Sequence, residues 1–193
     1  LLKTEQISRC LLVCAEGYSK YISSDDRTCR PIFSDGASAV VIAAAGSGEI
    51  GPFVFATDGK GAPNLALKKN NGAAVVGDQV LHMNGPKVLE FTMKAVPAYV
   101  LRLIAKAGLT LAEIDMFVFH QASKVVLDRV RQNLDIDEAK MFRNYRDIGN
   151  TVSATIPIAM KQAQSAGILG ADKTVLVMGF GVGYSLAGCI VRT

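Results

Sequence analysis

The chain has 193 residues, half of them hydrophobic and 20% charged, with 21 basic against 17 acidic side chains and a net charge of +4. That composition supplies enough apolar mass for a packed core and excludes the disordered and fibrous classes. The positive excess is small and dispersed, so no nucleic acid is expected as a partner, and no apolar run reaches the length of a membrane span.

Strand and helix patterns alternate along the chain, which points to an α/β fold with a largely buried sheet. "CLLVCAEG" (10–17) reads as a strand, "SDGASAVVIAAAG" (34–46) as a turn and a small-residue strand, and "FVFAT" (53–57) as a third. Residues 58–78, rich in Gly, Asn and Lys, read as a long surface excursion. "GPKVLEFTMKAVPAYVLRLIAKAG" (85–108) has helical period, with Pro97 kinking it or separating two helices and Gly108 as its stop. Thr110 and Glu113 have capping-box spacing for a short helical turn. A strand at 116–119, a helix at 122–134, an irregular stretch to 149 and a helix over 151–166 ending at Gly167 follow. "TVLVMGF" (174–180), a glycine loop and "YSLAGCIVR" (184–192) close the chain as strand, turn and strand. The order strand, loop, Gly/Ala/Ser-containing strand occurs near both ends, which suggests a duplicated unit, although small residues also recur wherever sheets pack against helices.

Cys10, Cys14, Cys29 and Cys189 form no C-x-x-C pair and no ligand spacing with His82 or His120, so reduced thiols and no metal site are expected. The first residue is Leu1 and no leader-like segment is recognisable, so the expectation is a soluble cytoplasmic protein or a piece of one. His120 stands where the buried strand ends, the place where open α/β sheets put ligands and chemistry. Taken alone it reads more readily as a structural histidine, and Asn150 after Gly149 reads as turn or cap chemistry. The run "GFGVG" (179–183) is a tight turn or a loop whose bare backbone N–H groups meet a substrate oxygen. Lys124, Asp128 and Arg131 share a helical face, by default a solvated one.

Three segments in order, "HQAS" (120–123), "GNTVSATIP" (149–157) and "GFGVGYSLAG" (179–188), together resemble the C-terminal part of the β-ketoacyl-acyl carrier protein synthase III family. These are condensing enzymes of the thiolase superfamily. "DDRTCRPIFSDGASAVVI" and "HMNGPKVLEF" resemble the family's middle section, so the likeness covers nearly the whole chain. It implies a thiolase-like layered fold, with residues 1–50 ending an N-terminal half and 51–193 forming the C-terminal half. It also implies an acyltransferase of fatty acid or related biosynthesis. Such an enzyme joins acyl-coenzyme A to malonyl-acyl carrier protein by decarboxylative Claisen condensation, with no metal or redox cofactor.

By the same resemblance, His120 and Asn150 match the catalytic pair that polarises the malonyl thioester. Neutral donors of that kind suit a negative charge developing on a thioester oxygen. Gly181, Val182 and Gly183 match the oxyanion loop, with Val182 standing where many relatives have glycine. Arg27 falls where an arginine meets the nucleotide end of coenzyme A, and a guanidinium suits phosphate or adenine. Lys124 and Arg131 fall near the docking site of the acidic carrier protein. "HMNG" (82–85) resembles a segment along the pantetheine tunnel, although His82 itself reads as structural or exposed.

The family's nucleophilic cysteine would lie upstream, and none of the four cysteines replaces it. The expectation is therefore a C-terminal portion, inactive alone, whose partners are a missing N-terminal half, an acyl carrier protein and a second copy in a homodimer. The alternatives are a non-catalytic thioester- or carrier-protein-binding subunit, or a condensing enzyme of the polyketide synthase or hydroxymethylglutaryl-coenzyme A synthase type.

Overall fold

The computed structural model describes residues 1–2, 4–46 and 48–193. Its strands are β1 (Arg9–Glu16), β2 (Gly36–Ala43), β3 (Glu49–Thr57), β4 (Leu65–Lys69) and β5 (Gln79–Met83). Helix α1 (Gly85–Ala107) follows, then β6 (Met116–Phe119), α2 (Lys124–Leu134), α3 (Tyr145–Ile148), α4 (Thr155–Ser165), β7 (Thr174–Gly181) and β8 (Ser185–Arg192).

The main sheet has four strands in the order β3-β8-β7-β6, with β6 parallel to β7 and the other pairs antiparallel. Alternation along its strands decides what covers each face. Phe117, Phe119, Leu176 and Met178 point to one face, where they pack with Val96, Val100 and Leu103 of α1 and Leu127 and Val130 of α2. Met116, Val118 and Val175 point to the other, against Ala159 and Ala163 of α4. Every residue of β6 is buried as a result, which is why its sequence is apolar without alternation. Beyond α4 lies the separate antiparallel pair β1-β2, in contact with α4 and with the turn that precedes it. The layers are therefore helix, sheet, helix and sheet. The two similar strand-loop-strand units at the chain ends are both antiparallel pairs, β1-β2 standing as its own sheet and β7-β8 lying within the main one.

Three expectations need correction. The excursion at 58–78 contains β4, which pairs with β5 as a hairpin; Leu65 and Leu81 anchor it while its lysines face water. Pro97 does not separate two helices: α1 continues through it as one helix, with the stripe Thr92, Val96, Val100 and Leu103 buried on both sides. Gly108 ends that helix in the left-handed region, as the sequence indicates. Thr110 and Glu113 do bond, with Thr110 N–H and Oγ1 each donating to the Glu113 carboxylate at 2.7 Å, but they close a turn and no helix.

Candidate active site

His120 is the first residue past β6, and its N–H donates to the Met178 carbonyl at 2.9 Å, carrying the ladder one step beyond the strand. The chain then turns sharply. Gln121, fully buried, donates to the Phe119 carbonyl at 2.8 Å and accepts from the Asn144 N–H at 3.0 Å. Ser123 follows as the cap of α2. The imidazole of His120 lies edge-on to the Phe180 ring, 5.5 Å between centroids and 85° between planes. Its Nδ1 is 2.7 Å from the Thr155 hydroxyl at the start of α4. Burial pushes its pKa down to about 4, opposed only by the nearby Val152 carbonyl, so the ring is neutral at physiological pH.

Asn150 reaches the same place from another direction. Its N–H donates to the Ile32 carbonyl at 3.0 Å, and its carbonyl accepts from Ser34 N–H at 2.9 Å, a parallel bridge to the segment before β2. Gly149 makes this approach feasible: its φ is +78°, and a Cβ there would stand 2.7 Å from Ser34 Oγ. The side-chain amide is oriented by the Val152 N–H, which donates to Oδ1 at 2.9 Å. Among the described residues, only a long 3.4 Å contact to the Ala122 carbonyl engages Nδ2. The acceptor end is thus occupied and the donor end is available. Val152 itself holds φ +54°, a strained value for a β-branched residue, and hydrogen bonds on its N–H and its carbonyl keep it there.

His120 and Asn150 line one cleft of about 550 Å³, together with Ser123, Phe180, Gly181 and Val182. Its walls are mostly apolar, with Ile32, Phe33, Leu65 and Met83 among them. Two neutral donors in an apolar cleft stabilise negative charge on an oxygen far better than they would in water.

The other sequence-predicted residues divide. Gly181 and Val182 line the cleft; Gly183, at φ +71°, does not, and makes the turn into β8. Arg27 is exposed on the loop before β2 and does not line the cleft. Lys124 is exposed at the start of α2, next to the lining residues Ser123 and Val125, and pairs with Asp128. Arg131 lies two turns further on, held by Glu138 at 2.9 Å and by the Ile136 carbonyl at 3.1 Å. His82 is exposed, whereas its neighbour Met83 faces the cleft.

None of the four cysteines lines the cleft. Burial raises the thiol of Cys29 to about 12 and that of Cys189 to about 11, the reverse of an activated nucleophile. Among the described residues no group of three or more His, Cys, Asp or Glu side chains is placed to hold a metal ion, and no helix is long and apolar enough to cross a membrane. The sequence pattern does not single out Thr155 or Phe180, although both lie inside the motifs that carry the resemblance.

The family described as 3-oxoacyl-[acyl-carrier-protein] synthase III matches residues 1–59, and its C-terminal counterpart matches residues 104–193. A β-ketoacyl-[acyl-carrier-protein] synthase III of Synechocystis sp. is 32% identical over 200 residues, 99% of this chain and 61% of that protein. The crystal structure of a 3-oxoacyl-(acyl-carrier-protein) synthase III superposes with a TM-score of 0.90 at 39% identity, over 99% of this chain and 62% of the other. The priming β-ketosynthase of the R1128 polyketide pathway gives 0.87 at 29% identity, over 96% and 57%. The chain spans about 60% of the length of such relatives. The ordered motifs, the thiolase-like layers and these matches agree, and the chain belongs to the 3-oxoacyl-[acyl-carrier-protein] synthase III family.

Proposed function

We propose that this chain carries the decarboxylation half of a condensing-enzyme active site, acting on acyl-coenzyme A and malonyl-acyl carrier protein without a cofactor. The observation that carries the reading is the joint presentation of His120 and Asn150. The Asn150 amide is turned so that its acceptor is consumed, and the neutral imidazole shares its cleft. In the reaction the bond between the malonyl Cα and its carboxylate breaks and carbon dioxide leaves. The electron pair passes into an enolate whose oxygen accepts from His120 Nε2–H and Asn150 Nδ2–H. The enolate carbon then attacks the acyl group on a cysteine, and the thiolate departs.

That cysteine belongs to an N-terminal half outside this chain, since none of the four thiols here faces the cleft. In this reading residues 1–50 end the N-terminal half and 51–193 form the C-terminal half, and the complete enzyme is a cytoplasmic homodimer. Gly181 and Val182 contribute the oxyanion loop and Gly183 shapes it. Arg27 meets coenzyme A, and the exposed Lys124 beside the cleft attracts the acidic carrier protein. Arg131 contributes less to docking, because its guanidinium is occupied within the fold. The likeness to a priming β-ketosynthase favours a second reading, in which the same chemistry primes a polyketide.

The test is made on the native protein with its nucleophile present. His120→Ala and Asn150→Ala should each cut carbon dioxide release from malonyl-acyl carrier protein by about a hundredfold to a thousandfold. Acyl-enzyme formation, followed by mass spectrometry, should persist in both. Decarboxylation at the parental rate in both variants would remove this function and leave a thioester-binding subunit.

A further inference from the structure

We infer that Thr155 is a positioning residue that keeps the proton of His120 on Nε2, by donating its hydroxyl hydrogen to Nδ1. The inference rests on the reading of His120 as a hydrogen-bond donor, and it names the group that makes the ring one. A neutral imidazole has a donor on one nitrogen and an acceptor on the other, so the partner of Nδ1 decides what Nε2 can do.

The Thr155 oxygen is 2.7 Å from His120 Nδ1 and 2.9 Å from the Val152 carbonyl, and it has one hydrogen to give. The two acceptors do not need it equally. The Val152 carbonyl already accepts the backbone N–H of Thr155, the bond that closes the 3-10 turn Val152–Ala154. An unprotonated Nδ1 has no donor among the described residues other than this hydroxyl. Giving the hydrogen to the ring leaves both acceptors satisfied and puts N–H on Nε2, the arrangement in which the ring is a donor there. Thr155 is 2% exposed and is the first residue of α4, so its hydroxyl cannot turn away to water.

Loss of the hydroxyl reverses the preference. With valine at position 155, a bare Nδ1 would have no donor and would face the Val152 carbonyl, which also acts on the ring. Two acceptors then oppose each other, and moving the ring proton to Nδ1 relieves the conflict. Nε2 becomes a lone pair, which repels an enolate oxygen.

The chain has only two histidines, and His82 is exposed on β5, so ring nitrogens labelled with 15N give two separable patterns in long-range proton–nitrogen spectra. In the parental chain, without substrate, His120 should show a protonated Nε2 and an unprotonated, hydrogen-bonded Nδ1. Thr155→Val should exchange the two, changing the tautomer ratio by roughly tenfold or more, whereas Thr155→Ser should retain the parental pattern. Parental far-ultraviolet circular dichroism and a cooperative thermal transition report that the variants are folded. A protonated Nδ1 in the parental chain, or an unaltered tautomer in Thr155→Val, would overturn the inference. Because the tautomer is read without turnover, this result is independent of whether malonyl groups are decarboxylated. In the native protein, Thr155→Val should lower the rate of decarboxylation with little change in KM for the malonyl donor.

Discussion

A histidine kept neutral by its surroundings leaves a mark on stability as well as on chemistry. His120 has its pKa lowered from 6.5 to about 4 by burial, with no charged group contributing. The unfolded chain therefore binds a proton between those two values that the folded chain refuses, and ΔG of unfolding rises with pH across that window. The contribution is present above about pH 6.5 and is lost as the pH falls toward 4. Its ceiling is on the order of 3 kcal/mol, reduced in proportion to the water the open cleft admits around the ring. Urea midpoints at pH 7 and pH 4.5 should therefore differ more for the parental chain than for His120→Gln, which has no proton to take up. The carboxylates of Asp26, Asp35, Glu113 and Asp115 have lowered pKa values, so what they lose on acidification falls mostly below this window. An identical pH response in the two proteins would show that the ring is not held neutral by burial. An asparagine whose Oδ1 is tied to Val152 N–H presents only N–H to a ligand, a constraint an aspartate could not satisfy.

The segment that delivers Asn150 depends on backbone geometry more than on side-chain burial. Gly149 combines φ +78° with ψ −168°, and Ser34, which would meet an added Cβ, donates to the Ile148 carbonyl at 2.6 Å. Gly149→Ala should cost about 1–3 kcal/mol in chemical denaturation. Measured against Ser34→Ala alone, which loses the bond to Ile148, the double variant should recover part of the steric cost, since Ser34 Cβ still stands 3.2 Å from the added Cβ, and leave the conformational part. Full recovery would mean that crowding alone fixes the glycine. This element also marks the limit of what the sequence discloses. The strand Met116–Phe119 was legible because both its faces are covered, and α1 was legible from its period although Pro97 hid its continuity. The β4-β5 hairpin was not, because Leu65 and Leu81 are its only buried residues within a polar text. The bridge from Asn150 to Ile32 and Ser34, and the bond from Thr155 to His120, join residues far apart in the chain. No local pattern encodes such pairings, so the motifs pointed to His120 and Asn150 without the groups that orient them.

At the scale of the molecule, one layer lacks a cover. Neither strand of the β1-β2 pair contains a buried residue, and Leu11, Val13 and Val41 are 63%, 59% and 64% exposed. Phe53 and Phe55, stacked 6.0 Å apart on the edge strand β3, add a second exposed apolar feature. Exposed apolar surface beside unpaired strand edges promotes pairing with other chains. Under the proposed division of the fold, the β1-β2 layer is the end of an N-terminal half whose remaining elements cover it. The 193-residue chain alone should therefore associate as its concentration rises, as measured by size-exclusion chromatography with light scattering. Leu11 and Val41 are directly opposed in the register, so Leu11→Lys with Val41→Glu would place an ion pair across the strands without breaking the ladder. That variant should shift the chain toward monomer while keeping its far-ultraviolet circular dichroism. A parental chain that stays monomeric and melts cooperatively at all concentrations would mean that the layer needs no cover, and the assignment of residues 1–50 to a separate half would fail with it.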